Sequence, residues 1–196
     1  MAFFIFIVNI MKIKRLIVGD EDTNCYVLSK GNKAIIIDPG DNSKKISKYI
    51  MKEELSVLAI LLTHGHYDHT KAVDILVNQY HCPCYLDSED LVFTTYNSKI
   101  DGSINLKTKC LNYQDTLNFE DFNFEISKIP GHSSGSVCIN IDNFIFTGDV
   151  IFSDGIGRYD LYGGSKSELM ESIEIISEKY AGYTCYPGHE ESFIIG

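Results

Sequence analysis

Basic charge is scarce in this chain. Its 17 Lys and Arg stand against 27 Asp and Glu, a formal net charge of -10, and the densest basic stretch is only Lys12-Ile13-Lys14-Arg15. Phosphate backbones and anionic bilayers are gripped by clustered cations, so nucleic acid and membrane are both disfavoured as partners. A membrane-spanning run is missing as well. The apolar opening Ala2-Phe3-Phe4-Ile5-Phe6-Ile7-Val8-Asn9-Ile10 is too short to cross a bilayer. It also lacks the basic region and small-residue cleavage site of a secretion signal. Met11 follows directly, so residues 1-10 read as an apolar N-terminal extension, either part of the first strand or an annotation artefact.

Cysteines are too few for a disulfide framework in a chain of 196 residues. Cys82-Pro83-Cys84 has no second close pair to complete a four-thiolate site with it. Cys25, Cys82, Cys84, Cys110, Cys138 and Cys185 therefore read as reduced, partly buried thiols, which fits a cytoplasmic setting. No linker rich in Gly, Pro or Ser divides the chain, and a single domain over 11-196 is expected. Gly163-Gly164 lacks the spacing and the Lys-Ser/Thr of a phosphate loop. The strand-to-helix Gly-x-Ser-x-Gly elbow of a serine hydrolase is absent too.

What is present is concentrated in Thr63-His64-Gly65-His66-Tyr67-Asp68-His69-Thr70. The loop follows Val57-Leu58-Ala59-Ile60-Leu61-Leu62, an apolar run that reads as a buried strand. Positions just past a strand's carboxyl end are where α/β proteins place ligands. Four metal-capable side chains fall within six residues, and three of the chain's 6 His are among them. One tetrahedral site uses three or four ligands in all, so four in one loop point to two ions. A solvated polar loop with spare histidines is the bland alternative, and the clustering argues against it.

Three further strand ends repeat the pattern. Pro130-Gly131-His132, Thr147-Gly148-Asp149 and Pro187-Gly188-His189 each set a ligand-capable residue after a glycine that permits a tight turn. Taken singly, each is as readily a turn. Together with the first loop they supply five histidines and two aspartates, enough for two ions sharing a carboxylate. His81, beside Cys82 at a predicted helix end, reads as structural. Asp38-Pro39-Gly40 reads as a turn, with Asp38 capping or forming it by default and contact with the active centre as the alternative.

Strands are predicted at Ile13–Val18, 24–28, 34–37, 57–62, 84–86, 122–126, 137–141, 144–146 and 184–186. Helical stripes lie between them, and Ser165-Lys166-Ser167-Glu168 opens one as a capping box. Residues 94–115 are polar and poorly periodic and read as a surface excursion. Hairpins mixed with strand–helix alternation predict an α/β fold, an αββα sandwich of two mixed sheets with outer helices.

The pattern His64-x-His66-x-Asp68-His69, then His132, Asp149 and His189, resembles the metallo-β-lactamase superfamily across essentially the whole chain. More narrowly it resembles the short glyoxalase II-like, or hydroxyacylglutathione hydrolase-like, group. Thr23-Asn24-Cys25-Tyr26, Asp38-Pro39-Gly40, Pro130-Gly131-His132-Ser133-Ser134-Gly135 and Gly157-Arg158-Tyr159-Asp160 support this. The resemblance implies two divalent ions, zinc first and iron or manganese as alternatives. It puts His64, His66 and His132 on one ion, Asp68, His69 and His189 on the other, and Asp149 between them. It further implies hydrolysis of a small-molecule thioester by a hydroxide that Asp68 orients as the catalytic residue, in a monomer or small homo-oligomer. Two features depart from the group: true glyoxalase II enzymes add a C-terminal helical region that grips glutathione, and Tyr159 stands where relatives carry a small hydroxyl residue. Arg158 is expected either to pair with Asp160 or to meet a substrate carboxylate. A mononuclear-iron persulfide dioxygenase is the rival enzyme, and a metal-containing binding or redox module the rival of another class. β-Lactamase activity is disfavoured, because those zinc enzymes lack a bridging carboxylate like Asp149.

Overall fold

Strands that are apolar on both faces need cover on both sides, and that requirement shapes the whole structure. The computed structural model describes residues 10–196. The expectation for residues 1-10 therefore lies outside the described residues, Ile10 apart. In β3 (Lys33–Ile37), Ala34 and Ile36 enter one core while Ile35 and Ile37 enter another. In β4 (Ser56–Leu61), Ile60 faces the first and Ala59 and Leu61 the second.

These strands centre a five-stranded sheet of order β1-β2-β3-β4-β5, with β1 at Lys12–Val18, β2 at Thr23–Lys30 and β5 at Cys84–Tyr85. β1 through β3 pair antiparallel, whereas β3–β4 and β4–β5 are parallel. The second sheet has six strands in the order β11-β10-β9-β8-β7-β6. They span Thr116–Phe119 (β6), Phe122–Lys128 (β7), Val137–Ile141 (β8), Phe144–Gly148 (β9), Thr184–Pro187 (β10) and Phe193–Ile194 (β11). Only β9–β10 is parallel there.

Tyr26, Leu28, Phe122, Phe124, Ile139 and Phe146 fill the space between the sheets. Each large apolar side chain withdrawn from water contributes about 1.5–3 kcal/mol. Helices α1 (Ser43–Lys52) and α3 (Val73–Tyr80) cover the outer face of the first sheet through Ile46, Ile50, Val73 and Leu76. Helix α4 (Lys166–Lys179) covers the second through Leu169 and Ile176. This is the expected αββα sandwich of two mixed sheets.

Local signals set the helix ends. Asn42 caps α1, its side chain accepting from Lys45 N at 3.2 Å. Ser165 accepts from Glu168 N at 3.4 Å at the head of α4. The helical run after the ligand loop is in two pieces, with α2 at Tyr67–Thr70 ahead of α3. Ala72 N bonds to Pro39 O at 3.0 Å, and this tie to the β3 turn reorients the chain before α3.

The 94–115 segment runs largely over the surface, as expected, and is tied to the ligand loop by specific bonds. Tyr113 Oη accepts from Leu62 N at 2.8 Å and donates to Leu62 O at 2.9 Å, just before the ligand loop. Gly102 O accepts from Tyr67 N at 2.8 Å inside it. The segment braces that loop, and its bonds to side chains and loops leave no periodic trace.

All six cysteines are buried and unpaired. No helix among the described residues is long and apolar enough to cross a membrane. His81 ends α3 in the left-handed region, φ +52°, and is exposed. A side chain there carries a strain that glycine avoids, so His81→Gly is expected to stabilise by about 0.5–1 kcal/mol. Thermal melting and metal analysis check this, with metal content expected to stay at the parent value.

Candidate metal centre

Parallel pairing of β3 with β4 sets their carboxyl ends side by side, so Asp38 meets Thr63. Asp38 Oδ1 accepts from Thr63 N at 2.8 Å and Oδ2 from Thr63 Oγ1 at 2.6 Å. The His/Asp loop starts from this clamp. The second sheet brings the rest: His132 lies after β7, Asp149 after β9, and His189 after β10, which runs parallel to β9. Gly188 allows the last approach, since a Cβ there would stand 2.0 Å from Asp149 Oδ1 and 2.7 Å from His69 Cε1.

All seven expected residues converge, and His81 does not join them. They form two groups, His64, His66 and His132, and Asp68, His69, Asp149 and His189, each with donor atoms within 4.8 Å of one another. In the first, His66 Nδ1 and His132 Nε2 are 2.9 Å apart. In the second, His69 Nε2 lies 3.3 Å from both Asp68 Oδ2 and Asp149 Oδ1. His189 Nε2 lies 3.4 Å from Asp68 Oδ2 and from Asp149 Oδ2. Asp149 Oδ2 is also 3.8 Å from His132 Nε2, so one carboxylate faces both groups.

The donor chemistry fits metal ions. His64 Nε2, His69 Nε2 and Asp149 Oδ1 are buried without hydrogen-bond partners, an expensive arrangement unless a cation meets them. Burial, reinforced by neighbouring histidines, holds His64 well below the usual imidazole range and His66 down to about 3. Neutral rings of that kind are the form that ligates. On the other side burial opposes charge but loses. Asp68 and Asp149 hold His69 well up, and Asp149 and Asp68 hold His189 up to about 10. Burial likewise acts to raise Asp68 and Asp149, yet His69 and His189 keep both ionised well below the carboxylate range. The carboxylate side thus demands positive charge, and divalent ions satisfy that demand more fully than ring protons do.

Residues 18–189 match the family described as the Metallo-beta-lactamase superfamily. The chain belongs to this superfamily. It is 36% identical over 174 residues to the probable metallo-hydrolase YqgX of Bacillus subtilis (strain 168), covering 83% of this chain and 82% of that protein. It is 31% identical over 172 residues to a hydroxyacylglutathione hydrolase of Nitrosomonas eutropha, covering 87% of this chain but only 62% of that protein. Among crystal structures, the B3 metallo-beta-lactamase BLEG-1 is similar at a TM-score of 0.86 and 33% identity, over 94% of this chain and 95% of that one. TTHA1623 in a di-iron-bound form is similar at 0.84 and 28%, over 93% and 95%.

In this superfamily member the rings are oriented from behind. His69 Nδ1 is 3.0 Å from Asp38 Oδ2, His64 Nδ1 is 3.1 Å from Thr63 Oγ1, and His132 Nδ1 is 2.8 Å from Arg158 O. Such contacts fix ring orientation and tautomer. Asp38, read from sequence as a turn residue, is 1% exposed and orients a histidine. Its place before Pro-Gly at a strand end beside the ligand strand was the available signal. Arg158 pairs with Asp160 through Nε at 3.0 Å and Nη2 at 3.1 Å, the first of its two expected roles.

Asp90 escaped the sequence reading. It accepts from Gly65 N, Ser133 Oγ and Gly135 N at 2.8, 2.7 and 2.7 Å, and so staples the first loop to the His132 loop. In sequence it is one more acidic residue early in a short helix.

Asp38→Asn keeps the size of the side chain but turns an amide toward His69 or Thr63. Metal affinity is expected to fall by about 10–100-fold, the usual effect of losing a ligand's orienting partner. Competition against a chromophoric chelator measures this.

Proposed function

We propose that this chain is a metal-dependent hydrolase of small thioesters, related in chemistry to the hydroxyacylglutathione hydrolases. The observation that carries the reading is the Asp149 carboxylate facing both donor groups at the floor of a cleft of about 460 Å³. Two divalent ions, zinc first and iron or manganese as alternatives, held by His64, His66 and His132 and by Asp68, His69 and His189 with Asp149 between, would supply an acidified water and a Lewis acid for the carbonyl. The di-iron-bound relative and the curated hydrolases support this assignment.

Asp68 is the residue assigned to catalysis. It lines the cleft, and Thr23 Oγ1 donates to its Oδ2 at 3.2 Å. From there the carboxylate would orient the attacking water. Asp38 and Thr63 hold the rings that surround it. The departing thiolate needs little help, because thiols ionise near about 8.5. The six buried, unpaired thiols support a cytoplasmic setting, and a single domain over 11-196 remains the domain assignment.

Metal analysis coupled to a substrate panel tests the proposal. Expected are close to two ions per chain and turnover of small thioesters, with little action on a β-lactam. Saturation at one ion, with oxygen consumed on glutathione persulfide and no thioester cleaved, would replace this reading with the dioxygenase.

A further inference from the structure

The walls of the cleft carry a charge that its floor does not explain. Glu21, Asp101 and Glu190 line it, are exposed, and lie outside the seven donors. Outside the seven donors, Arg158 is the one cation among its described lining residues, and its Nε and Nη2 are committed to Asp160. Flanking cations are committed too. Arg15 bonds Glu191 and the Glu190 carbonyl, while Lys71 pairs with Asp41 at 3.6 Å.

Neutral groups hold two of the wall carboxylates without cancelling their charge. Tyr67 Oη donates to Glu21 Oε1 at 3.0 Å, and Ser153 Oγ to Glu190 Oε2 at 3.4 Å. Asn24 Nδ2 donates to Glu190 O at 2.8 Å and fixes its backbone. The ring of Phe152 lines the same cleft, and an aromatic face attracts a cation. The cleft is a ligand site on separate grounds. His66 lines it at 4% exposure with Nε2 unpartnered, beside the metal-type donors.

We infer that the substrate carries a cationic ammonium group beside its scissile bond, read by Glu21, Asp101 and Glu190. This rests on the thioester reading for the bond itself. Three like charges at the mouth repel thiols bearing carboxylate, sulfonate or phosphate and draw in ammonium compounds. A cleft that focuses its field changes capture by about 10–10³-fold, and salt weakens the effect as the screening length shortens to about 8 Å at physiological ionic strength.

Three thioacetates on the metal-loaded protein provide the test: acetylthiocholine, its neutral isostere S-(3,3-dimethylbutyl) thioacetate, and S-acetyl-2-mercaptoethanesulfonate. The expected kcat/KM order is cation, neutral, anion, with about tenfold per step at low salt and a narrower spread at physiological salt. Combining Glu21→Gln, Asp101→Asn and Glu190→Gln should compress the order to within about twofold. Asp101→Asn alone, at an exposed position, should compress it in part. Melting curves confirm that each variant is folded.

Calorimetry with two uncleavable amides, (2-acetamidoethyl)trimethylammonium and N-acetyltaurine, reads binding without turnover. The ammonium amide should bind more tightly in the parent and lose that advantage in the triple variant. If no thioester is cleaved but this binding order and its loss are seen, the assignment of the wall stands and the thioester reading falls. Equal or better binding and turnover of the anionic compounds would overturn the inference. So would an unchanged order in the triple variant.

Discussion

Asp149→Ala is expected to leave the protein folded and unable to hold two ions. Oδ1 of Asp149 faces His69, and Oδ2 faces His189 and His132, so a single truncation strips both donor groups. Removing one partner from a buried charged cluster costs about 3–5 kcal/mol, or two to more than three orders of magnitude in affinity. Two cations brought close without the carboxylate between them also repel each other. The backbone should hold, because Asp149 O is packed against Gly157 and the neighbouring Val150 is buried in the core behind. Metal titration against a chelator, with circular dichroism as the folding control, should show both binding steps weakened, whereas His81→Ala should leave both in place. Loss of one step alone would assign Asp149 to a single group and remove the basis for a shared carboxylate.

The parts of this centre that could be read from sequence are those whose chemistry is local. His64, His66, Asp68 and His69 stand within six residues after an uninterrupted apolar run, and that run is uninterrupted because β4 is buried on both faces. His132, Asp149 and His189 each follow a glycine at a strand end, where the chain must turn sharply. Which carboxylate lies between the two groups is a different kind of fact. It depends on β9 and β10 running parallel in the second sheet, and spacing does not encode that. Resemblance supplied it. The αββα layering was similarly accessible from alternation and apolar runs, while β11 pairs only two residues and left no pattern.

What stayed hidden was made by long-range contact. Tyr113 lies 51 residues from Leu62, the residue whose N–H and carbonyl it engages, so the 94–115 segment reads as a surface excursion with no sign that it braces the ligand loop. Asp38 was half visible. Its turn could be read, but its hold on His69 depends on the parallel β3–β4 pairing. Asp87 caps the 3₁₀ helix over Ser88–Thr94, accepting from Glu89 N at 3.0 Å. That frees Asp90 for contacts no local rule anticipates.

Asp90→Ala is expected to be the most destabilising single change at the site. The carboxylate is 0% exposed and reaches Gly65, 25 residues back, and Gly135, 45 residues on. Truncation leaves two buried N–H groups and the Ser133 hydroxyl short of an acceptor, although Ser133 Oγ retains Ser136 Oγ at 2.7 Å. Each buried N–H left unpaired costs about 1–3 kcal/mol, so the two together cost about 2–6 kcal/mol of a total stability of about 5–15 kcal/mol. Asp90→Asn preserves the shape but turns an amide donor toward one of these donors, and should cost about 1–3 kcal/mol. Urea unfolding of both variants measures the difference. The metal response should differ from that of Asp149→Ala. Gly65 lies between His64 and His66, and Ser133 follows His132, so loosening this staple disturbs the three-histidine group and spares Asp68, His69 and His189. Asp90→Asn, the milder variant, should therefore retain one ion near parent affinity and lose the other. Parent-like stability in both variants, or equal weakening of both ions, would show that the staple does not hold the histidine group in place.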